Sequence, residues 1–126
     1  MINLAKPDPK FKRGFKDKKH RDKVRSLCCL PCRIRGERQK SPTEVHHYWG
    51  TGAGQKESDK LVFPTCNQCH TGSFNGSIKG ITIHHNLEAF EKKHATQAEL
   101  VIRTYNELDL DEDLIEVREY FKKRLN

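Results

Sequence analysis

Two cysteine pairs are the residues in this chain whose types and spacing most clearly predict metal binding. Each pair has C-x-x-C spacing, Cys29 to Cys32 and Cys66 to Cys69, and 33 residues separate the pairs. Four thiolates in two such pairs are typical of a closed, tetrahedral zinc site. A redox dithiol needs only one pair, and the βαβ pattern that usually carries it is missing. We therefore predict a structural zinc on these four cysteines.

Two alternatives to this assignment stay open. Cys28 directly precedes Cys29, so a register with Cys28 as the ligand is also compatible with the spacing. The segment Cys66-Asn-Gln-Cys69-His70 matches the C-x-x-C-H attachment site of a c-type haem. Haem attachment needs export, for which the chain shows no signal, and Met1 is the only methionine, so a second histidine would have to be the axial ligand. Haem would also leave the first cysteine pair unexplained.

Three histidines lie beside the cysteines, and a four-cysteine zinc site does not need them. His46 and His47 are adjacent at the end of a predicted strand, where neighbouring side chains point to opposite faces. We therefore expect one to bind a second metal ion and the other to hold a water molecule. His70 directly follows a zinc cysteine, which fixes its position. A metal with open positions beside a neutral imidazole favours hydrolysis of phosphodiesters.

Local patterns predict the elements that position these residues. A short helix is expected from Asp17 to Leu27, a tight turn or knuckle over residues 28–40, and a strand from Thr43 to Tyr48. Leu61 to Phe63 is a second strand-like run, which we expect Pro64 to stop. Cys66–His70 then lies at a predicted helix start. The predicted order is β-β-α, in an α+β fold with the zinc as a staple.

The C-terminal third is predicted to be helical. Asn86 could cap a helix from Leu87 to His94, and Thr96 with Glu99 forms a capping box for a helix through Leu108. A last helix, from Asp111 to Leu125, begins with acidic residues and ends with basic ones, which complements the helix dipole. Its apolar stripe is expected to be core and consists of Leu114, Ile115, Val117, Phe121 and Leu125.

The distribution of charge favours a polyanionic partner. Residues 1–40 carry 14 Lys and Arg against 4 Asp and Glu, whereas residues 41–126 carry 10 against 13. A basic N-terminal arm of this kind favours nucleic acid, and the alternative is a solvated tail that aids solubility. No apolar run reaches membrane-spanning length and no signal-peptide pattern is present, so we expect a location inside the cell and no membrane partner.

In combination, the motifs resemble the HNH, or ββα-metal, nucleases of the zinc-knuckle type. They are most similar to the phage-borne recombination-enhancing, RecA-dependent nuclease family and related prophage nucleases. The corresponding segments are Leu27-Cys28-Cys29-Leu30-Pro31-Cys32, His46-His47, Gly52-Ala-Gly54-Gln-Lys56-Glu-Ser-Asp59 and Pro64-Thr-Cys66-Asn-Gln-Cys69-His70. The resemblance covers roughly residues 20–95.

The resemblance implies specific roles for the site residues. His46 and His70 correspond to ligands of a catalytic metal ion, and His47 to the general base. Asp59 stands near the place of the family's middle Asn, so it could orient the base and also bind metal. Phe74 replaces a further histidine of some relatives. His84 or His85 could supply that missing ligand, and helix capping is the alternative role for both.

Basic residues are candidates for contacts with the phosphates of DNA. Lys56 and Gly54 belong to a Gly-rich loop that could hold a backbone phosphate through its ammonium group and its amides. Further candidates come from the basic segment near the N-terminus and are Lys12, Arg13, Lys19 and Arg21.

The resemblance implies a treble-clef-like ββα-metal core and a one-metal DNA endonuclease acting in phage recombination or DNA processing, within a bacterial host cell. We predict a basic arm over residues 1–19, a nuclease core over 20–95, and a helical extension packed on the core over 96–126. The implied cofactors are a structural Zn²⁺ and a catalytic Mg²⁺, Mn²⁺, Ni²⁺ or Zn²⁺. The implied partners are DNA and a recombinase filament of the RecA type. Alternatives are a non-catalytic zinc knuckle that binds nucleic acid, and an inhibitor or assembly protein.

Overall fold

A two-stranded antiparallel sheet lies at the centre of the described part of the chain. A computed structural model describes residues 9–39, 41–48, 57–70, 83 and 87–125. The strands are β1 (Thr43–His47) and β2 (Val62–Cys66). A 3-10 turn (Pro9–Phe11) precedes the helices, which are α1 (Lys18–Arg25), α2 (Leu30–Arg35), α3 (Asn67–His70), α4 (Leu87–Lys93), α5 (Gln97–Glu107) and α6 (Asp111–Leu125). The chain is therefore a mixed α+β protein, as predicted.

The register of the sheet corrects one prediction. β2 does not stop at Pro64 but continues to Cys66, with Pro64 opposite Val45. The Tyr48 N–H donates to the Leu61 carbonyl at 2.7 Å, so hydrogen-bonded pairs fall on alternate residues and Val45–Pro64 is a non-hydrogen-bonded pair. The ring nitrogen of Pro64 points away from β1, and its missing N–H removes no bond between the strands.

The first two helices begin at side chains that accept backbone N–H bonds. Asp17 caps α1 by accepting from the His20 N–H, which agrees with the predicted start of this helix. Residues 28–40 are not only a turn, because Cys29 caps a short helix there and its Sγ accepts from the Cys32 N–H at 3.4 Å. Gly36 ends α2 with a φ of 71°, a conformation that suits glycine.

The C-terminal helices agree closely with the local signals. The capping box predicted from Thr96 and Glu99 is present at the start of α5. The last helix spans Asp111–Leu125, with the same bounds as predicted. α4 begins at Leu87, and its predicted cap Asn86 lies outside the described residues.

The hydrophobic core joins the sheet to the C-terminal helices. Its largest fully buried side chains include Tyr105, Phe63 and Phe90. Phe11, which we placed in the basic arm, is buried and lies 5.0 Å from the ring of Tyr120. The expectation that Ile115 belongs to the core is wrong, because its side chain is 65% exposed.

No helix in the described segments is long and apolar enough to cross a membrane.

Candidate metal centres and catalytic histidines

The four cysteines of the two C-x-x-C pairs meet in one buried cluster. Their sulfur atoms all lie within 4.8 Å of one another. The Cys32 Sγ is 3.7 Å from that of Cys66 and 3.8 Å from that of Cys69, and the last two are 3.7 Å apart. A tetrahedral zinc ion with Zn–S bonds of about 2.3 Å places its ligands about 3.8 Å apart. The cluster could therefore hold a structural metal such as zinc.

The elements around the cluster explain how distant residues come together. Cys29 and Cys32 occupy the cap and first turn of α2, and Cys66 and Cys69 lie at the junction of β2 and α3. Burial raises the pKa of the Cys32 thiol, so the cluster needs a cation to become fully ionised. Arg35 contributes positive charge, because its guanidinium lies 3.4 Å from the Cys69 sulfur and 3.6 Å from the Cys32 sulfur.

This arrangement decides between the alternatives for the cysteines. Cys28 is exposed, whereas Cys29 is buried with the other three, so the register is the one that uses Cys29. Cys66 and Cys69 face the first pair rather than standing apart as a haem-attachment pair. The geometry therefore favours one shared metal ion over haem.

His46 and His70, the two predicted ligands of a second metal ion, also face each other. The Nδ1 of His46 lies 3.0 Å from the Nε2 of His70, and the two rings are nearly perpendicular. His46 is buried on β1, where it packs against Phe63 of the partner strand at 5.0 Å between ring centroids. His70 is the last residue of α3. It directly follows Cys69, so the cysteine cluster lies next to it in the same short helix.

The outer nitrogens of these two rings indicate which tautomers are present. The Nε2 of His46 lies 2.9 Å from the Oε1 of Gln97, and the Nδ1 of His70 lies 2.9 Å from a carboxylate oxygen of Glu44. Both oxygens accept hydrogen bonds, so each of these nitrogens carries its proton. A neutral ring then has its lone pair on the other nitrogen. With both rings neutral, the two facing nitrogens are electron-pair donors that a shared cation would join, whereas with a proton between them the same contact is a hydrogen bond.

The distance between the facing nitrogens fits a shared metal ion. Two nitrogens about 2.1 Å from one ion lie about 3.0 Å apart at an angle near 90°, and about 3.4 Å apart in a tetrahedron. The observed 3.0 Å agrees with neighbouring ligands of an octahedral ion and equally with a hydrogen bond between the two rings. An octahedral ion holding two imidazoles has four more positions for water and substrate oxygens.

His47, the predicted base, belongs to a separate hydrogen-bonded group. Its Nε2 lies 2.7 Å from the Oδ1 of Asp59. Asp59 is almost fully buried, and its Oδ2 accepts from the Asp17 N–H at 2.7 Å and lies 2.9 Å from the Nε of Arg21. Burial alone would raise the pKa of Asp59, but the Asp17 N–H, His47 and Arg21 outweigh it and hold the pKa below its ordinary value. The ionised carboxylate thus accepts from the His47 Nε2–H, which leaves the lone pair on Nδ1.

The two histidine groups lie on opposite faces of β1, as the alternation of side chains along a strand requires. Glu44 and His46 share the face toward α3 and α5, and His47 faces Asp59 and α1. His46 and His47 are consecutive, so their Cα atoms are only about 3.8 Å apart. His47 is the last residue of the strand.

Several predicted site residues do not lie beside the pair of His46 and His70. Within the described ranges, no third Cys, Asp, Glu or His forms a metal-binding group with His46 and His70. Asp59 lies beside His47 instead. His84, His85, Lys56 and Gly54 lie outside the described residues.

The predicted DNA-binding cations fall into two groups. Lys12 and Lys19 are exposed to solvent. Arg13 lies 3.5 Å from Glu57, and Arg21 is held by Asp59. The arginines therefore have internal partners, and the two lysines offer charge at the surface.

Three residues next to the candidate site were not identified from the sequence. Glu44 precedes His46 by two positions on the same strand, and this spacing places both side chains on one face. Gln97 lies 51 residues after His46 in the chain. Arg35 lies one turn after the first cysteine pair on a helix that we did not predict. No local pattern points to the last two.

Comparison with known proteins identifies no relative, because no family model, curated protein or solved structure matches this chain.

Proposed function

We propose that this protein is a metal-dependent DNA endonuclease of the HNH type, with a structural zinc on the four cysteines. The observation that carries the proposal is the pair of imidazole nitrogens of His46 and His70, which face each other at 3.0 Å with their outer nitrogens bonded to acceptors. The resemblance to the recombination-enhancing nucleases supports the same assignment. A divalent ion held there would stabilise negative charge on the scissile phosphate and on the leaving oxygen.

His47 supplies the general base in this proposal. Its Nε2–H donates to the Asp59 carboxylate, so Nδ1 can accept a proton from the attacking water. The imidazolium that forms is stabilised by the same carboxylate, which Arg21 and the Asp17 N–H keep ionised. Asp59 thus orients the base, which is the task of the middle Asn in the family.

DNA is the proposed substrate because the face of the protein beside His47 is basic. α1 carries Lys18, Lys19, Arg21, Lys23 and Arg25, and Asp22 is its one acidic residue. Exposed lysines and arginines at this density attract the phosphate backbone and make binding depend on salt. The Asp17 cap and Arg21 connect this helix directly to Asp59. A bound strand on α1 would therefore lie close to the proposed base.

The test is a cleavage assay on single-stranded, duplex and D-loop DNA with Mg²⁺, Mn²⁺ or Ni²⁺, with and without a recombinase filament. We expect His47→Ala to reduce cleavage by at least about 100-fold, because general-base catalysis contributes about 10²–10⁴-fold. Asp59→Asn should retain more activity than Asp59→Ala, since an amide oxygen can still accept from His47. The zinc content and circular dichroism of each variant should equal those of the wild type.

The His47→Ala protein, purified in the same way, is also the control for contaminating nucleases. If it cuts DNA at the wild-type rate, the proposed mechanism is wrong. If the wild-type protein cuts none of these substrates with any of the metals, the assignment as an endonuclease fails.

The second candidate is a non-catalytic zinc knuckle that binds nucleic acid. The basic α1 and the cysteine cluster favour it, because a protein that only binds nucleic acid also needs a basic surface and a structural metal site. The two candidates differ in metal content. A binding module holds one zinc per chain and loses no metal in His46→Ala or His70→Ala, whereas the endonuclease holds a second divalent ion that both variants lose.

A further inference from the structure

Gln97 connects the C-terminal helices to the proposed metal ligand His46. It is the first residue of α5 and is only 4% exposed. Its Oε1 lies 2.9 Å from the Nε2 of His46, a contact that is itself buried. A buried amide in a small core has a desolvation cost, which hydrogen bonds must offset. The bond to His46 indicates why a glutamine, and not an apolar residue, occupies this core position.

The position of Gln97 is fixed by bonds on both sides of it. The Thr96 hydroxyl accepts from the Glu99 N–H, and the Glu99 carboxylate accepts from the Thr96 N–H. The Gln97 N–H itself donates to the Glu91 carboxylate of α4 at 2.9 Å. These bonds hold the backbone of the first turn of α5 in a position from which the Gln97 side chain reaches His46.

We propose that Gln97 is a positioning residue that keeps His46 in the tautomer protonated at Nε2, so that Nδ1 points its lone pair toward His70. This inference rests on the proposed divalent site at His46 and His70. Acceptors that bind the outer nitrogen of a metal-binding histidine fix both the tautomer and the ring orientation. Without an acceptor at Gln97, the proton is free to move to Nδ1, which then cannot bind a cation.

The role of Gln97 makes the C-terminal helices part of the proposed metal site. We predicted a helical extension over residues 96–126 that packs on a nuclease core over residues 20–95. With Gln97 in this role, the extension contributes to the metal site, and the core of residues 20–95 is incomplete without it. Folding of α5 onto β2 and competence to bind the divalent ion are then coupled.

The experiment compares Gln97→Met, which keeps the length of the side chain but has no oxygen, with Gln97→Glu, which keeps an acceptor. Binding of Ni²⁺ to the zinc-loaded full chain is measured by calorimetry. The tautomer of His46 is measured by ¹H–¹⁵N NMR of the imidazole nitrogens without Ni²⁺. We expect Gln97→Met to weaken Ni²⁺ binding by about 10- to 100-fold. In this variant His46 should be a mixture of the Nδ1–H and Nε2–H tautomers. Gln97→Glu should bind Ni²⁺ at least as tightly as the wild type.

Asn106→Met is the matched control, because Asn106 is exposed on the same helix. It should bind Ni²⁺ like the wild type. Equal loss of affinity in Gln97→Met and Gln97→Glu would overturn the inference, as would a wild-type His46 protonated on Nδ1 or a wild-type protein that does not bind Ni²⁺. A wild type with the expected tautomer and Ni²⁺ affinity that does not cut DNA would instead refute the proposed function and leave the role of Gln97 standing.

Discussion

His20 should make the stability of this protein fall as the pH drops from 7 to 5. The residue is buried in α1, and its ring stacks on Tyr105 of α5 at 5.0 Å between centroids. Its Nε2 is buried and has no hydrogen-bond partner among the described residues. Burial therefore disfavours the charged imidazolium and lowers the pKa of His20 from 6.5 to about 4. The α1–α5 contact that supports the candidate site thus depends on a neutral histidine.

The size of the effect follows from the two pKa values. Below pH 6.5 the unfolded chain binds a proton at His20, but the folded protein does not until the pH approaches 4. The stabilisation is therefore complete above pH 6.5 and is lost as the pH falls toward 4. At 1.36 kcal/mol for each pKa unit, the total is about 3 kcal/mol, of which about 2 kcal/mol is lost between pH 7 and 5.

The assay is urea unfolding followed by circular dichroism at pH 7 and at pH 5, for the wild type and for His20→Phe. Phenylalanine can stack on Tyr105 but does not titrate. Other ionisable groups also destabilise the fold in acid, so the informative quantity is the difference between the two proteins. The wild type should lose about 2 kcal/mol more than the variant. Equal losses, within about 0.5 kcal/mol, would refute the assigned burial of a neutral His20.

Two further predictions concern the metal and the core. Cys66→Ser should lose the zinc and most of its helical circular dichroism, because zinc binding contributes about 10 kcal/mol or more to small zinc-binding domains. The control Cys28→Ser changes an exposed cysteine outside the cluster and should keep one zinc per chain. A zinc-free wild-type protein that stays folded would contradict the prediction. Phe63→Ala should lower the free energy of unfolding by about 3–5 kcal/mol because the side chain is fully buried, whereas Ile115→Ala, at a 65% exposed position, should change it by less than about 0.5 kcal/mol in urea titrations.

Features with a local physical cause could be predicted from the sequence. The capping box of Thr96 and Glu99 depends on two side chains three residues apart, and the structure contains it. The pairing of the four cysteines was also predictable, because thiolates at this spacing meet only when a metal or a redox function requires it. In contrast, Pro64 is an example of a local rule that failed. Its missing N–H ends a strand only when that N–H would have pointed to the partner, and the register decides this.

The sequence by itself thus determined the candidate ligands, the strand that carries His46 and the helix start that carries His70. Only the tertiary structure decided which acceptor each histidine meets. Gln97 and Glu44 reach His46 and His70 from positions 51 and 26 residues away in the chain, and Asp59 reaches His47 across the end of the sheet. Periodicity reports which face of an element is buried, but not which element covers that face. The positions of the protons on the histidines, and with them the proposed binding of a second metal ion, depend on those long-range contacts.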